Sequence, residues 1–568
     1  MYRQVLTAAM KEVPVEPDRT HRYSKLLPAT ATVTLAAALA IHTAMAQNPP
    51  APIPPYSVCS RNVNVLSLLP APPGSPPNAH EDGDTQFLNS LIDFTETSLL
   101  QQVPTASSLD LMHQVQLLGK LFIYDKKLSP AANVACATCH APYSGFTGGT
   151  TIFNATTVAQ AGGTAITNAT PPEPNVRFGP RKPQSYAYAA FAPILHYDLA
   201  VADFYGGNFW DMRATGTRLA NPAAEQAQGP PVNPVEMGNI DTACVVWKAS
   251  QGGYASLVKL VGGAQSFAIS WPSNVATVCA MPGPPPTNDP FPVHLSAKDR
   301  GISNSTYDHL TLAVASYESS ADVSPFSSKF DARLAGNATL SSSEQHGYDL
   351  FNGKGKCNQC HLSGTAVNSV GQVAADVAPL FTDFTSANIG LPRNLAMPYY
   401  CESKPDQFGY TPNPLGFTFF DLGVGAMLSG PNNPNPLQWK SLAPLYNGKF
   451  QVPTLRNVDK RPRPDFIKAY MHNGYLKSLA EVVHFYNTSQ ALPRCAQGSP
   501  GEKKTCWPLP ETPENVSTLI GNLGLSVQEE SDIVAFLKIL TDGYVTTPGS
   551  PLLSQPALVE PATHRENN

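Results

Sequence analysis

The sequence is short of charge. Asp, Glu, Lys and Arg make up 14% of its 568 residues, against about a quarter in an ordinary soluble domain. The net charge is only −5, so there is no basic surplus to hold a phosphate backbone, and nucleic acid is excluded as a partner. Apolar runs of membrane-spanning length are missing too. The run "TATVTLAAALAIHTA" near the start falls short of the ~20 residues a spanning helix needs, so no transmembrane anchor is expected. Nor is there any strand-period alternation that would argue for a large sheet. Proline is abundant instead: 56 residues, about twice the usual share, which favours long ordered loops over charged surface helices. With 42% hydrophobic residues the chain has material for two or more globular domains.

The short apolar run has the form of an export signal. Arg22 and Lys25 precede it, and "AMA" before Gln47 supplies small residues for cleavage after Ala46. The mature protein is therefore expected to be periplasmic or secreted. Export changes how the ten cysteines are read. "VACATCHAP" contains Cys136, Cys139 and His140, and "GKCNQCHLS" repeats the spacing with Cys357, Cys360 and His361. CxxCH is the attachment signature of a c-type haem. On one helical turn both thiols reach one edge of the porphyrin while the following imidazole meets the iron. Zinc would need further ligands at short range, and no Cys or His lies between His140 and His196. Two copies predict two covalently bound haem c groups. Six cysteines remain: Cys59, Cys244, Cys279, Cys401, Cys495 and Cys506. They suggest three disulfides whose pairing stays open, with Cys495–Cys506 the favoured local loop.

The rest of the chain fits two modules. "NPPAPIPP" and "PAPPGSPP" make an extended proline-rich stretch. In "SSLDLMHQVQLLGKLF", Leu111, Val115, Leu118 and Phe122 recur on one face of a helix behind a serine cap. His113 on that helix reads as an ordinary histidine. Residues 141–178 read as a long loop. "LSSSEQHGYDLFNGKGKCNQCH" repeats a serine-capped helix before the second attachment site, and "SVQEESDIVAFLKIL" carries a capping box at Ser526 and Glu529. The expected fold is mainly α: two cytochrome c-like haem domains with long loops and insertions. The boundaries are a signal peptide at 1–46, an N-terminal arm at 47–105, a first haem domain at 106–325, a second at 326–545, and a tail at 546–568.

The blocks "LGKLFIYDKKLSPAANVACATCH", "GPRKPQS", "FWDMRA", "QAQGPPVNPVEM", "FTDFTSANIGLP", "FQVPTLRNV" and "YMHNGYLKSLAEVVHFYNTSQ" occur in the order found in bacterial di-haem cytochrome c peroxidases and MauG-like enzymes. The chain resembles that family over about 110–542. The resemblance implies Glu236 as the acid/base that moves a proton between peroxide oxygens, with Gln226 and Pro230 beside it over the first haem. It implies Trp210 as an electron relay between the haems. Members that need reductive activation carry a capping histidine at the position matching Pro174; no histidine occurs from Ala141 to Leu195, so the first, high-spin iron is expected to be open, with His196 the nearest other candidate cap. Where conventional members have a methionine ligand to the second, low-spin iron, this chain has Tyr486, as MauG-like enzymes do. Ser478 and Glu481 make a capping box, and Leu479, Val482 and Tyr486 share a helical face. His484 is the competing ligand. A phenolate stabilises oxidised iron, so the second haem is suited to storing an oxidising equivalent.

The implied activity is oxidation driven by hydrogen peroxide, with electrons exchanged with a small redox protein, a cytochrome c or cupredoxin, or with a protein substrate. Alternatives are a conventional cytochrome c peroxidase, an oxygen-dependent di-haem oxygenase of the rubber oxygenase type, and a non-catalytic electron carrier. The family usually holds a calcium ion between its domains. Here "DKRPRPDFIK" lengthens the stretch that contributes its ligands, leaving the ion an open question. The insertion at about 392–446 has no function readable from its residues.

Overall fold

The computed structural model describes residues 83–150, 156, 158–160, 176–364 and 378–545. The expected signal peptide and tail, Pro174 and Cys59 lie outside the described residues. Helices are the main regular structure of those described, and their strands form only short two-stranded pairs, such as His196–Asp198 with Asp203–Tyr205. None of their helices is long and apolar enough to cross a membrane.

Two hydrophobic cores stand on the two CxxCH segments. In the first, the helix Leu111–Tyr124 buries Leu118, Leu121 and Phe122 against Leu310, Ala313 and Val314 of the helix Ala297–Glu318. In the second, the helix Ser342–Asn352 packs on Val527–Lys538 around Phe351, Phe381 and Phe536. Each fully buried phenylalanine contributes roughly 1.5–3 kcal/mol of transfer free energy. The same device brings each helix pair together. A Cβ on Gly119 would stand 2.0 Å from the Ala313 carbonyl oxygen, and one on Gly347 would stand 1.9 Å from that of Asp532. Only glycine allows either crossing.

The local signals fare unevenly. The Ser526–Glu529 capping box forms, and Ser341 pairs with Glu344 in the same way. The helix at 111 is capped by Asp110, whose side chain accepts from the His113 amide, and not by a serine. At the helix Leu479–Thr488, Ser478 caps the Glu481 amide, but the Glu481 carboxylate accepts from the Lys477 amide, so the box is only half made. A helix at Gly83–Leu100 lies within the stretch assigned to the arm and buries Leu88 and Ile92 in the first core. Cys495–Cys506 and Cys244–Cys279 are bonded, and Cys401 is in a disulfide as well.

Candidate functional site

Each CxxCH presents its histidine in the same way. Cys136–Cys139 is a single helical turn, with the His140 amide donating to the Cys136 carbonyl at 3.0 Å. The His140 ring places Nδ1 at 3.1 Å from the Phe146 carbonyl oxygen, and the His361 ring places Nδ1 at 2.9 Å from that of Phe381. With Nδ1–H donating, Nε2 keeps its lone pair for a metal. Burial pushes both imidazoles down to about 4, so both are neutral and able to ligate near pH 7. Phe146 and Phe381 both hold left-handed backbone, φ 59° and 52°, a strain of about 1–3 kcal/mol each that places the two carbonyls. None of the four CxxCH cysteines is in a disulfide. Oriented imidazole and adjacent thiols on a largely apolar wall fit a covalently held haem at both positions.

The cavity at His140 is lined by Cys136, Cys139, Gln226, Pro230, Glu236 and Glu318. It continues into a space of about 400 Å³ reached by Trp210 and Arg213. Three predicted residues thus converge: Gln226 on the helix Pro222–Gln228, Pro230 opening the next turn, and Glu236 just beyond it. Asn233 Nδ2 donates to Glu236 Oε1 at 2.7 Å. Glu236 lines both parts of this cavity. Burial raises its carboxyl above the usual range, while the Arg213 guanidinium and the Asn233 amide pull the other way.

Glu318 has no counterpart among the predicted residues. It is 3% exposed and held far above the ordinary carboxyl range by burial. A signal existed: Glu318 ends the stripe Tyr307, Leu310, Val314 on an otherwise apolar helix face. The insertion also acquires a place. Tyr399, Tyr410 and Asn432 line the first cavity, and Arg181 anchors the insertion by pairing with both Asp421, at 2.6 Å, and Asp211, at 2.7 Å.

The second cavity is lined by Cys357, Cys360, His361, Leu479, Val482 and Tyr486. The helical face read from the sequence therefore points into it. Burial, reinforced by Cys360 and Cys357, pushes the Tyr486 phenol up. Met471 and His472 line the same cavity, and neither was among the candidates. His472 stacks on Phe450 at 3.5 Å and lies 6.4 Å from the Trp210 ring. His484 does not line it: its Nδ1 faces Glu530 at 3.0 Å and its Nε2 the Lys504 carbonyl at 3.1 Å. His196 sits in a hairpin with Nδ1 on the Ile194 carbonyl at 2.9 Å and lines none of these cavities. His113 is on the surface against Asp110.

Trp210 joins the two spaces. It lines both, together with Lys182, Gln184, Ser185, Ala189 and Asn208. Its Nε1 donates to the Lys182 carbonyl at 3.0 Å and its own carbonyl accepts from the Gln451 amide at 2.8 Å.

Two oriented imidazoles, each beside a thiol pair and a cavity, define the equipment of a c-type haem oxidoreductase. Residues 113–339 match the model of the family described as di-haem cytochrome c peroxidase. The chain is 28% identical over 430 residues to the methylamine utilization protein MauG of Paracoccus denitrificans, covering 75% of this chain and 88% of that one. It is 28% identical over 237 residues to the cytochrome-c peroxidase IdrP1 of Denitromonas iodatirespirans, covering 40% and 48%. The diheme peroxidase BthA of Burkholderia thailandensis shares its fold with a TM-score of 0.50 at 24% identity, over 75% of this chain and 86% of that one. The chain is similar to the di-haem cytochrome c peroxidase and MauG-like family over three quarters of its length. It is an oxidoreductase of that type, and the family implies haem c as its cofactor.

Proposed function

We propose that the protein uses hydrogen peroxide as oxidant at the His140 site and passes oxidising equivalents to the His361 site and onward to a redox protein or a protein substrate. The convergence of Gln226, Pro230 and Glu236 on the cavity of His140, with Trp210 bridging to the second cavity, carries this reading. Cys136 and Cys139 would anchor one haem c, with His140 as iron ligand; Cys357 and Cys360 would anchor the other, with His361 and Tyr486 as ligands. Bound haem supplies the redox-active iron at which a peroxide O–O bond can be cleaved.

The protein's own share is proton handling and wiring. Glu236, held by Asn233, takes the proton from the inner peroxide oxygen and delivers it to the outer one, a task suited to a carboxyl whose affinity for protons is raised. Gln226 supplies an amide to orient the reacting oxygens, and Pro230 presents an apolar edge that keeps water from competing. Trp210 provides an aromatic bridge between the sites. Tyr486 as an anionic ligand would favour the oxidised state of the second iron. Met471, which lines the same cavity, defines the second reading: a thioether ligand and a conventional peroxidase with a higher second potential. Replacing Tyr486 with Phe and, separately, Met471 with Leu decides between them, because only the true ligand's loss changes the low-spin spectrum. We place the protein outside the cytoplasm, consistent with its disulfides Cys244–Cys279 and Cys495–Cys506.

A further inference from the structure

Lys468 ends the lengthened stretch "DKRPRPDFIK" and is 4% exposed. Its Nζ donates to three backbone carbonyls: Ser144 at 2.9 Å, Asn457 at 3.1 Å and Lys460 at 2.9 Å. Ser144 belongs to the turn just after the first CxxCH, whereas Asn457 lies within "PTLRNV" and Lys460 two residues beyond it, in the second half. Three carbonyl oxygens converging on one buried point are what a hard cation takes as ligands. Here a side-chain cation already stands there.

Three acceptors require three N–H groups, which only the charged ammonium has. Burial, Lys182, Arg461 and Lys460 all disfavour that charge, and Asp459 favours it. The carbonyl oxygens supply the compensation that a buried charge needs. A calcium ion fits poorly at the same point. It would share these oxygens with a like charge, and among the described residues no group of three or more His, Cys, Asp or Glu is placed to hold a metal.

We propose that the Lys468 ammonium is this chain's own interdomain cation, filling the carbonyl cradle of Ser144, Asn457 and Lys460 and tying the two halves together without a bound metal ion. The proposal does not depend on the peroxide chemistry, and its test reads stability and metal content. The haem-loaded protein is dialysed and analysed for calcium, then unfolded thermally in EGTA and in calcium chloride. The expected result is no stoichiometric calcium and the same midpoint in both. Lys468→Ala, which vacates the cradle, should lower the midpoint by several degrees and recover in n-propylammonium chloride, which restores the missing atoms. Lys468→Met, which fills the space without a donor, should fall likewise and not recover. One calcium per chain in the wild-type protein, or a wild-type midpoint that drops in EGTA and returns with calcium, would overturn the proposal. So would a Lys468→Met midpoint equal to wild type. If neither variant folds, the wild-type measurements alone decide.

Discussion

Replacing Glu236 with Gln isolates the proton-transfer role, because the amide keeps the shape and can still accept from Asn233 Nδ2, now at 2.7 Å. Positioned acid/base groups contribute about 10²–10⁴-fold, so peroxide consumption should fall by about that factor while both haems stay attached. Stopped-flow absorbance of the ferric protein mixed with peroxide measures it. In the native protein the rate should fall as pH drops through the raised carboxyl pKa of Glu236, since the base form begins the transfer; the variant should lose that limb. Stability should move the opposite way. A carboxyl whose folded pKa is raised costs nothing below its unfolded value, near 4.5, and destabilises the fold increasingly as pH rises above it. Glu236→Gln should therefore melt higher than the native protein at neutral pH and equally at low pH. A merely structural Glu236 would give a lower melting temperature along with any loss of rate. Unchanged peroxide turnover, or lost turnover with lost stability, refutes the assignment.

Tyr486→Phe should shift the low-spin spectrum and raise the potential of the second haem, as read by redox titration, because it removes the proposed anionic ligand; an unchanged spectrum would transfer the role to Met471. Trp210→Phe breaks the bond from Nε1 to the Lys182 carbonyl, a loss of about 0.5–1.5 kcal/mol. It should slow the spectral change at the second haem more than that at the first; equal slowing would remove Trp210 from the relay. Gly347→Ala puts a Cβ 1.9 Å from the Asp532 carbonyl oxygen and should cost about 1–3 kcal/mol through forced separation of the two helices, seen as a lower unfolding midpoint; a midpoint equal to wild type would show that the crossing relaxes freely.

What was legible in the sequence was local or carried by whole blocks. Ser526 with Glu529 closes its box because both partners lie within one turn. The face Leu479, Val482, Tyr486 faces the second cavity because helical spacing fixes which side chains share a side. Gln226, Pro230 and Glu236 of one block converge because the turn after residue 228 folds back, with the Met237 amide bonded to the Pro230 carbonyl at 3.1 Å. What escaped depends on distant pairings. Tyr399 and Tyr410 reach the first cavity through distant pairings, Arg181 with Asp421 across 240 residues and Arg177 with Asp406 across 229. Lys468 finds Ser144 across 324 residues, and nothing in "DFIK" marks that lysine as buried. Glu318 was the readable omission, a carboxylate closing an apolar stripe.

The most direct test is to add one equivalent of hydrogen peroxide to the purified, fully ferric protein and record its optical spectrum without prior reduction. The proposed function, with an open first site and a second that shares the oxidising equivalents, predicts prompt changes in the bands of both haems. A spectrum that stays unchanged until an electron is supplied would contradict the account and return the protein to the reductively activated peroxidases.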